Sequence, residues 1–164
     1  MSKLVAMRAQ SPSSTLASFL AASTLWLLPQ APAQAQRVVE LVLDASGSMN
    51  AKLPGGNTRI AAAVAAVNRV VATLPAETIL AFRAYGHQSP REKHDCDDTA
   101  LLVPFGPAES ARDLVPRAAR ALTARGYTPI SRVLRIAAPE LGARPDCASA
   151  GAAEERVILL VSDG

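Results

Sequence analysis

Residues 37–50 read RVVELVLDASGSMN, a nearly continuous apolar run that ends in a short loop of small and polar residues. The apolar half is typical of a strand that is buried on both faces of a parallel sheet. Asp44, Ser46 and Ser48 follow at a spacing of two, so an extended backbone points their side chains to the same side. Gly47 is expected to let the backbone curl around whatever these oxygens hold. One carboxylate and two hydroxyls, without His or Cys, form a hard-oxygen set that suits Mg²⁺, Mn²⁺ or Ca²⁺.

The beginning of the chain has the organisation of a signal peptide. A basic start is followed by a mostly apolar stretch over residues 16–28 and by two small-x-small patterns. The apolar stretch is shorter than the ~20 residues that a membrane span needs. We therefore predict a signal peptide over residues 1–35 that is cleaved after Ala33 or Ala35, with an uncleaved anchor as the alternative. The mature domain, residues 36–164, is expected to be exported, whether periplasmic, cell-surface or secreted.

The composition is that of a single globular domain. Hydrophobic residues make up 49% of the chain and charged residues 19%, which is enough apolar material for a core. The formal net charge is +3, aromatic residues are only 4%, and no basic run occurs, so a nucleic-acid partner has no support. No stretch of the mature chain is apolar enough to span a membrane. Export makes Cys96 and Cys147 candidates for a disulfide, with each other or with a cysteine of another chain.

Apolar periodicity divides the mature chain into strands and helices. Strands are predicted over residues 38–43, 78–85, 100–105 and 156–161, and helices over residues 59–74, about 110–123 and 129–139. Pro104 places the third strand at a sheet edge. The second helix is capped by Ser110 or Asp113, and Pro116 favours Asp113 because proline is tolerated in a first turn. This order predicts an α/β fold with a doubly wound, mostly parallel sheet.

Polar side chains collect at one end of this predicted sheet. Asp44 ends the first strand, and Asp163 follows the fourth. In an open α/β sheet, ligands bind at the carboxyl ends of the strands where the strand order reverses. Thr128, the predicted cap of the third helix, lies in the loop that precedes this helix, so its hydroxyl is expected to face the same crevice. The candidate constellation is therefore Asp44, Ser46, Ser48, Thr128 and Asp163.

Together these positions resemble the metal-ion-dependent adhesion site (MIDAS) of von Willebrand factor type A domains. That pattern is Asp-x-Ser-x-Ser, then a distant Thr and a distant Asp, and this chain matches it in DASGS, GYTP and VSDG. The resemblance covers about residues 37–164 and implies a Rossmann-like sheet with the strand order 3-2-1-4-5-6. Since the chain stops after its fourth predicted strand, we expect the domain to be incomplete at its C-terminus.

The same resemblance implies a role for each residue. Ser46, Ser48 and Thr128 would hold the cation directly or through water, with Asp44 and Asp163 bound directly or behind them. Mg²⁺ is the first candidate, with Ca²⁺ and Mn²⁺ as alternatives. An Asp or Glu of a protein partner would complete the coordination. We therefore expect an exported, non-enzymatic binding module; the alternatives are a structural or scaffold subunit of a larger envelope assembly, or a metal-dependent, phosphatase-like hydrolase.

Enzyme motifs fit this sequence less well. Phosphatases with an aspartate nucleophile carry a second acid two residues later, where this chain has Ser46. Ser46 does not lie in a Gly-x-Ser-x-Gly elbow, and no Walker lysine follows Gly55 and Gly56. We therefore expect no catalytic residues.

A second polar cluster occupies residues 86–98, GHQSPREKHDCDD. Its side chains that can ligate or titrate are His87, His94, Asp95, Cys96, Asp97 and Asp98. The cluster is either an additional metal or partner contact or a solvated loop.

Overall fold

The strands and helices follow one another in the predicted order in a computed structural model, which describes residues 36–142 and 155–163. The strands are β1 Arg37–Asp44, β2 Ile79–Tyr85, β3 Thr99–Pro107 and β4 Glu155–Val161. The helices are α1 Arg59–Thr73, α2 Ala108–Arg120 and α3 Ile130–Gly142, with 3-10 turns at Gly47–Asn50 and Arg91–Lys93.

The described strands form one mostly parallel sheet in the order β3-β2-β1-β4. β1 pairs in parallel with both β2 and β4, and β3 runs antiparallel to β2 at the edge. The register sets Asp44 opposite Tyr85 and Leu43 opposite Val161, so β1 and β4 end at the same level. This order confirms the predicted α/β class and the position of Pro104 in an edge strand. It also confirms that the first and fourth strands are neighbours.

Helices cover both faces of this sheet because neighbouring side chains of a strand point to opposite faces. Leu41 of β1 belongs to the larger core cluster, which also contains Val67 of α1 and Val115 of α2. Val42, the next residue of β1, packs on the other face with Val133 of α3. Each such burial contributes roughly 1.5–3 kcal/mol. The sheet is therefore doubly wound, as predicted.

α1 confirms the prediction at both of its ends. The hydroxyl of Thr58 accepts a hydrogen bond from the backbone amide of Ala61 at 3.3 Å, so Thr58 is the N-cap. Val67 and Val71 lie on the buried face. The helix ends just before Pro75, which cannot continue it.

α2 begins earlier than predicted. It starts at Ala108, directly after β3, so neither Ser110 nor Asp113 caps it and Pro116 lies inside the helix. Proline removes a helical hydrogen bond. The buried face that runs from Ala108 through Val115 outweighs this loss, because it packs the whole helix against the sheet.

α3 continues past the predicted stop. Pro139 lies within the helix, which ends at Gly142. The buried positions Val133, Ala137 and Leu141 keep a spacing of four, so the apolar face extends beyond the proline.

The face of the sheet under α3 carries a buried ionic network. Arg83 of β2 donates from Nε to Glu40 of β1 at 2.7 Å and from Nη2 to Glu140 of α3. Glu40 is fully buried and Arg83 nearly so, whereas the Glu140 side chain is 42% exposed. Burial raises the pKa of Glu40, and the hydrogen bond and charge of Arg83 oppose this.

Two predictions concern residues beyond the described ranges. The leader, residues 1–35, and Cys147 both lie outside the part of the chain that the structure describes. Cys96 is exposed and forms no disulfide with any residue in the described ranges. No helix within residues 36–142 and 155–163 has the length and apolar character to cross a membrane.

Candidate metal centre

Asp44 ties the loop after β1 to the end of β4. Its side chain is fully buried. Oδ1 accepts a hydrogen bond from the backbone amide of Ser46 at 2.7 Å. Oδ2 accepts one from the hydroxyl of Ser162 at 2.8 Å. The carboxylate is thus held on both oxygens and fixes the two chain segments relative to one another.

The two serine hydroxyls of the loop form a chain of oxygens that leads to Asp163. Ser46 Oγ and Ser48 Oγ lie 3.2 Å apart, and Ser48 Oγ donates to Asp163 Oδ1 at 3.2 Å. The 3-10 turn that starts at Gly47 shapes this stretch, because the amide of Met49 donates to the carbonyl of Ser46 at 3.0 Å. Met49 is buried beneath the loop and anchors it.

A backbone clamp holds this loop against the segment between α2 and α3. α2 ends at residue 120 rather than near residue 123, and irregular backbone follows. The amide of Gly47 donates to the carbonyl of Gly126 at 2.9 Å, and the amide of Gly126 donates to the carbonyl of Gly86 at 2.7 Å. A Cβ on Gly126 would lie 2.6 Å from the Cα of Gly86, so the two backbones can approach only as glycines.

Gly47 plays a smaller part than predicted. Its φ is not in the left-handed region, and a Cβ there would meet its nearest neighbour, the carbonyl of Arg125, at 3.6 Å. That distance is an ordinary van der Waals contact. The curl of the loop therefore comes from the 3-10 turn and the clamp rather than from the freedom of Gly47.

Thr128 lies on the far side of the clamp. It follows Gly126 by two residues, is half-buried and precedes the start of α3. It makes no hydrogen bond to the other candidate residues within the described ranges. Its segment is held against the serine loop by backbone contacts, from the amide of Gly47 to the carbonyl of Gly126 and from the amide of Arg125 to the carbonyl of Ala45. Asp44, Ser46, Ser48 and Asp163 are connected through hydrogen bonds, with Ser162 between Asp44 and the end of β4.

The donor set fits a hard divalent cation. Adjacent ligands of octahedral Mg²⁺ are about 2.9 Å apart, given Mg–O bonds of about 2.0–2.1 Å. The 3.2 Å between Ser46 Oγ and Ser48 Oγ is close to this separation. No group of three or more His, Cys, Asp and Glu residues able to hold a metal occurs in the described ranges. Three of the five candidate ligands are hydroxyls, a donor type that Mg²⁺ and Ca²⁺ accept and that softer metals do not favour.

Two neighbours of the site were not found from the sequence. Arg59, the first residue of α1, donates from Nη1 to Asp163 Oδ2 at 2.5 Å. Ser162 donates to Asp44 as described above. Ser162 had a signal in the sequence, because it stands between the last residue of β4 and Asp163. Nothing in the sequence around Arg59 connects it with a residue about a hundred positions away.

Tyr85 forms part of the floor beneath the site. It is fully buried and lies opposite Asp44 in the register of β1 and β2. Burial is the main cause that raises the pKa of its hydroxyl, and the carboxylates of Asp44 and Asp163 raise it further. A hydrogen bond with Ser162 lowers the pKa of Tyr85 and so opposes this shift. The floor is therefore neutral at physiological pH, and Tyr85 supplies no negative charge to a cation.

The second polar cluster is organised by Asp98. Its buried carboxylate accepts hydrogen bonds from the backbone amides of His87, Gln88 and Ser89 at 2.9–3.3 Å. Burial lowers the pKa of His87 and Arg125 lowers it further, whereas the charge of Asp98 opposes this shift. Arg125 also donates to the carbonyls of His87 and Gln88, so much of the cluster's polar character serves to hold its own loop.

The remaining residues of that cluster lie toward solvent. The rings of His94 and Tyr127 are in contact, with centroids 5.2 Å apart. Asp97 forms an exposed ion pair with Arg132 of α3 at 2.7 Å. These contacts connect the loop to the segment that carries Thr128.

Comparison with known proteins gives both a family and a fold. Residues 39–164 match the family described as von Willebrand factor type A domain. The pilus adhesin SpaC from Lactobacillus rhamnosus GG is similar in structure, with a TM-score of 0.61 and 20% identity, over 82% of this chain. The matched region is 16% of the adhesin chain, and at this identity the similarity shows a shared fold. A comparison with curated protein sequences finds no match.

Two further solved structures are more distantly similar. A membrane-spanning protein from Vibrio fischeri has 20% identity and a TM-score of 0.49, over 77% of this chain and 70% of its own. The protein BatB from Bacteroides thetaiotaomicron has 17% identity and a TM-score of 0.49, over 76% of this chain and 52% of its own.

Proposed function

Because the chain belongs to the von Willebrand factor type A family, we propose that it is a cation-dependent binding module for an acidic residue of a protein partner. The cation, Mg²⁺ first and Ca²⁺ or Mn²⁺ as alternatives, would be held by Asp44, Ser46, Ser48, Thr128 and Asp163. The observation that carries this proposal is the chain of oxygens from Ser46 through Ser48 to Asp163 at the carboxyl ends of β1 and β4. That edge of an α/β sheet is where ligands bind.

The charge of the site supports capture of an acid. Asp44 and Asp163 are the only candidate ligands that carry charge, and the three hydroxyls are neutral. When bound, a divalent cation would offer an open, positively polarised position to an incoming carboxylate. The side chain of Asp163 is only 10% exposed, and Ser46 is buried, so a partner reaches the site chiefly over Ser48.

Each residue of the candidate site has a separate role in this proposal. Asp44 holds the amide of Ser46 and the hydroxyl of Ser162, so it orients the loop from behind. The Gly86–Gly126 clamp brings the segment of Thr128 to the same edge. Ser46, Ser48 and Asp163 supply a chain of oxygens that is linked through Ser48. The arrangement binds and orients, and it requires no proton transfer.

The module is proposed to be non-catalytic and exported. The two histidines of the chain, His87 and His94, belong to the loop organised by Asp98, and neither is hydrogen-bonded to Ser46 or Ser48. A serine nucleophile would need such a base within hydrogen-bond reach. Export is supported by the leader pattern of residues 1–35.

Cation-dependent capture on a peptide array tests the proposed function. The purified protein would be applied to peptides that contain a single central Glu and to matched peptides with Gln at that position, in Mg²⁺ and in EDTA. Binding to Glu peptides in Mg²⁺ that is lost both in EDTA and on the Gln peptides is expected. Equal binding to Glu and Gln peptides would contradict capture of an acid. Cation binding without capture of any peptide would favour a structural role for the cation.

A further inference from the structure

We infer that Arg59 sets the balance between the two binding events at this site. Its positive charge weakens the binding of the cation and strengthens the binding of the acidic partner. This inference rests on the proposed function above. The observation behind it is that Asp163, a proposed cation ligand, is already paired with a cationic side chain of the same chain.

The carboxylate of Asp163 is shared between two donors. Oδ1 accepts from Ser48 Oγ at 3.2 Å, and Oδ2 accepts from Arg59 Nη1 at 2.5 Å. The first oxygen faces the serine loop, where the cation is proposed to bind, and the second faces α1. The guanidinium therefore does not fill the oxygen cluster, but it neutralises one of its two carboxylates at contact distance.

The position of Arg59 is fixed by the backbone. It is the first residue of α1, directly after the N-cap Thr58, and its amide donates to the carbonyl of Ala51 at 2.9 Å. A cation in the first turn of a helix is unfavourable, because the helix dipole places positive charge there. α1 has no acidic residue in its first turn to compensate. Asp163 supplies the missing negative charge, which explains why a cation is tolerated at this position.

Arg59 changes the net charge of the site both before and after a cation binds. With Arg59 present, the ionised carboxylates of Asp44 and Asp163 leave a net charge of about −1 around the oxygen cluster, and a divalent cation would raise it to about +1. Without Arg59 the corresponding values are about −2 and 0. The arginine thus repels the cation, while it leaves the loaded site with surplus positive charge for a carboxylate.

Solvent limits the size of this effect. The Arg59 side chain is 41% exposed, so water and salt screen its charge. A change in cation affinity of about three- to tenfold is the expected range for a screened unit charge near the site. The same exposure leaves the guanidinium accessible to a partner that approaches over Ser48.

Three variants separate charge from structure. Arg59→Gln removes the charge, Arg59→Lys keeps it, and Arg69→Gln removes a charge from an exposed position further along the same helix. Mg²⁺ affinity would be measured by calorimetry on the purified proteins, and folding would be checked by thermal melts in EDTA. We expect Arg59→Gln to bind Mg²⁺ about three- to tenfold more tightly than the parent, with Arg59→Lys and Arg69→Gln close to the parent.

Salt and an acidic peptide provide two further readouts. In about 0.5 M KCl the advantage of Arg59→Gln should shrink, because the Debye length falls well below the size of the site. At saturating Mg²⁺, the Arg59→Gln protein should bind a Glu-containing array peptide more weakly than the parent does. A residue with a merely structural role would lower both affinities together.

The outcomes distinguish the two proposals. If the parent binds Mg²⁺ and Arg59→Gln binds it equally or more weakly, the inference about Arg59 is wrong and the proposed function stands. If Mg²⁺ binds neither protein although both melt cooperatively, both proposals are wrong. If Arg59→Gln binds Mg²⁺ more tightly than the parent but binds the peptide equally well, Arg59 only opposes cation binding. The inferred contribution of Arg59 to partner binding would then be wrong.

Discussion

The hydroxyl of Ser48 donates to a carboxylate oxygen of Asp163 at 3.2 Å, although the two residues are 115 positions apart in the chain. The contact exists because β1 and β4 are parallel neighbours that end at the same level. The helices between them cover the two faces of the sheet: α1 and α2 pack on one face, and α3 packs on the other. The candidate site is therefore a product of strand order, and its stability depends on the contacts that hold the ends of these two strands together.

Ser162 is predicted to be one of these contacts. Ser162→Ala removes the donor to the buried Oδ2 of Asp44, and loss of a hydrogen bond to a buried carboxylate costs about 1–3 kcal/mol. The free energy of unfolding from urea titrations should fall by this amount. Ser110→Ala, at an exposed position of α2, is the matched control and should change little. Equal stability of the two variants would mean that the contact between Ser162 and Asp44 contributes nothing.

Alanine variants of two glycines, one in the clamp and one in the serine loop, should differ strongly in stability. Gly126→Ala places a methyl group 2.6 Å from the Cα of Gly86, which forces the two backbones apart and should destabilise the protein by about 2–4 kcal/mol. Gly47→Ala, within the serine loop, meets its nearest atom at 3.6 Å and should be tolerated. Thermal melts of the two variants check this. The reverse order of stability would contradict the described clamp.

Stability should depend on pH through His87. Its pKa is lowered in the folded state from the ordinary value of 6.5, so the folded protein prefers the neutral imidazole. A group with a depressed folded-state pKa contributes stability above its unfolded pKa, and this contribution is lost as the pH falls. The free energy of unfolding should therefore decrease as the pH falls from 6.5 toward about 5.

Two histidine variants assign this pH dependence. His87→Gln should flatten the pH profile of stability, because it removes the group that titrates. His94→Gln is the control, since His94 lies in the same loop, where its ring contacts Tyr127. The assignment to His87 fails if His94→Gln flattens the profile and His87→Gln does not.

The buried ionic network should behave as a pair rather than as two independent residues. Arg83→Met leaves Glu40 buried without its partner, and such a loss typically costs about 3–5 kcal/mol. The double variant Glu40→Leu with Arg83→Met removes both charges, while Glu140 remains partly exposed to water. It should be clearly more stable than Arg83→Met alone. Urea titrations of the parent, of the two single variants Arg83→Met and Glu40→Leu, and of the double variant give the coupling free energy.

Much of the fold could be predicted from the sequence because its strands are short, apolar and followed by clear turn residues. The apolar run before Asp44 identified a central strand, and the apolar periodicity of residues 59–74 identified α1. The ends of α2 and α3 were wrong for a common reason. Pro116 was taken to place the start of α2 at Asp113, and Pro139 was taken to end α3. Packing of the buried face against the sheet instead starts α2 earlier, at Ala108, and extends α3 to Gly142.

The candidate site was predictable where its residues follow strands and not where its contacts are long-range. Asp44 and Asp163 were expected at one end of the sheet because each follows an apolar strand, and the hydrogen bond from Ser48 to Asp163 agrees with that expectation. Arg59 was not found, because its pairing with Asp163 depends on where α1 starts relative to the end of β4. The role of Gly126 was not predicted, since close approach of two backbones leaves no signal in one segment of sequence.

Binding of Mg²⁺ to the parent protein and to Ser48→Ala tests the central claim most directly. Ser48 lies between Ser46 and Asp163 in the chain of oxygens, and its half-buried hydroxyl can be removed with little loss of packing. Calorimetry should show saturable Mg²⁺ binding and a rise in melting temperature for the parent, both strongly reduced in Ser48→Ala and retained in Ser110→Ala. Mg²⁺ binding of equal affinity in the parent and in Ser48→Ala, or none in a cooperatively folded parent, would contradict the account.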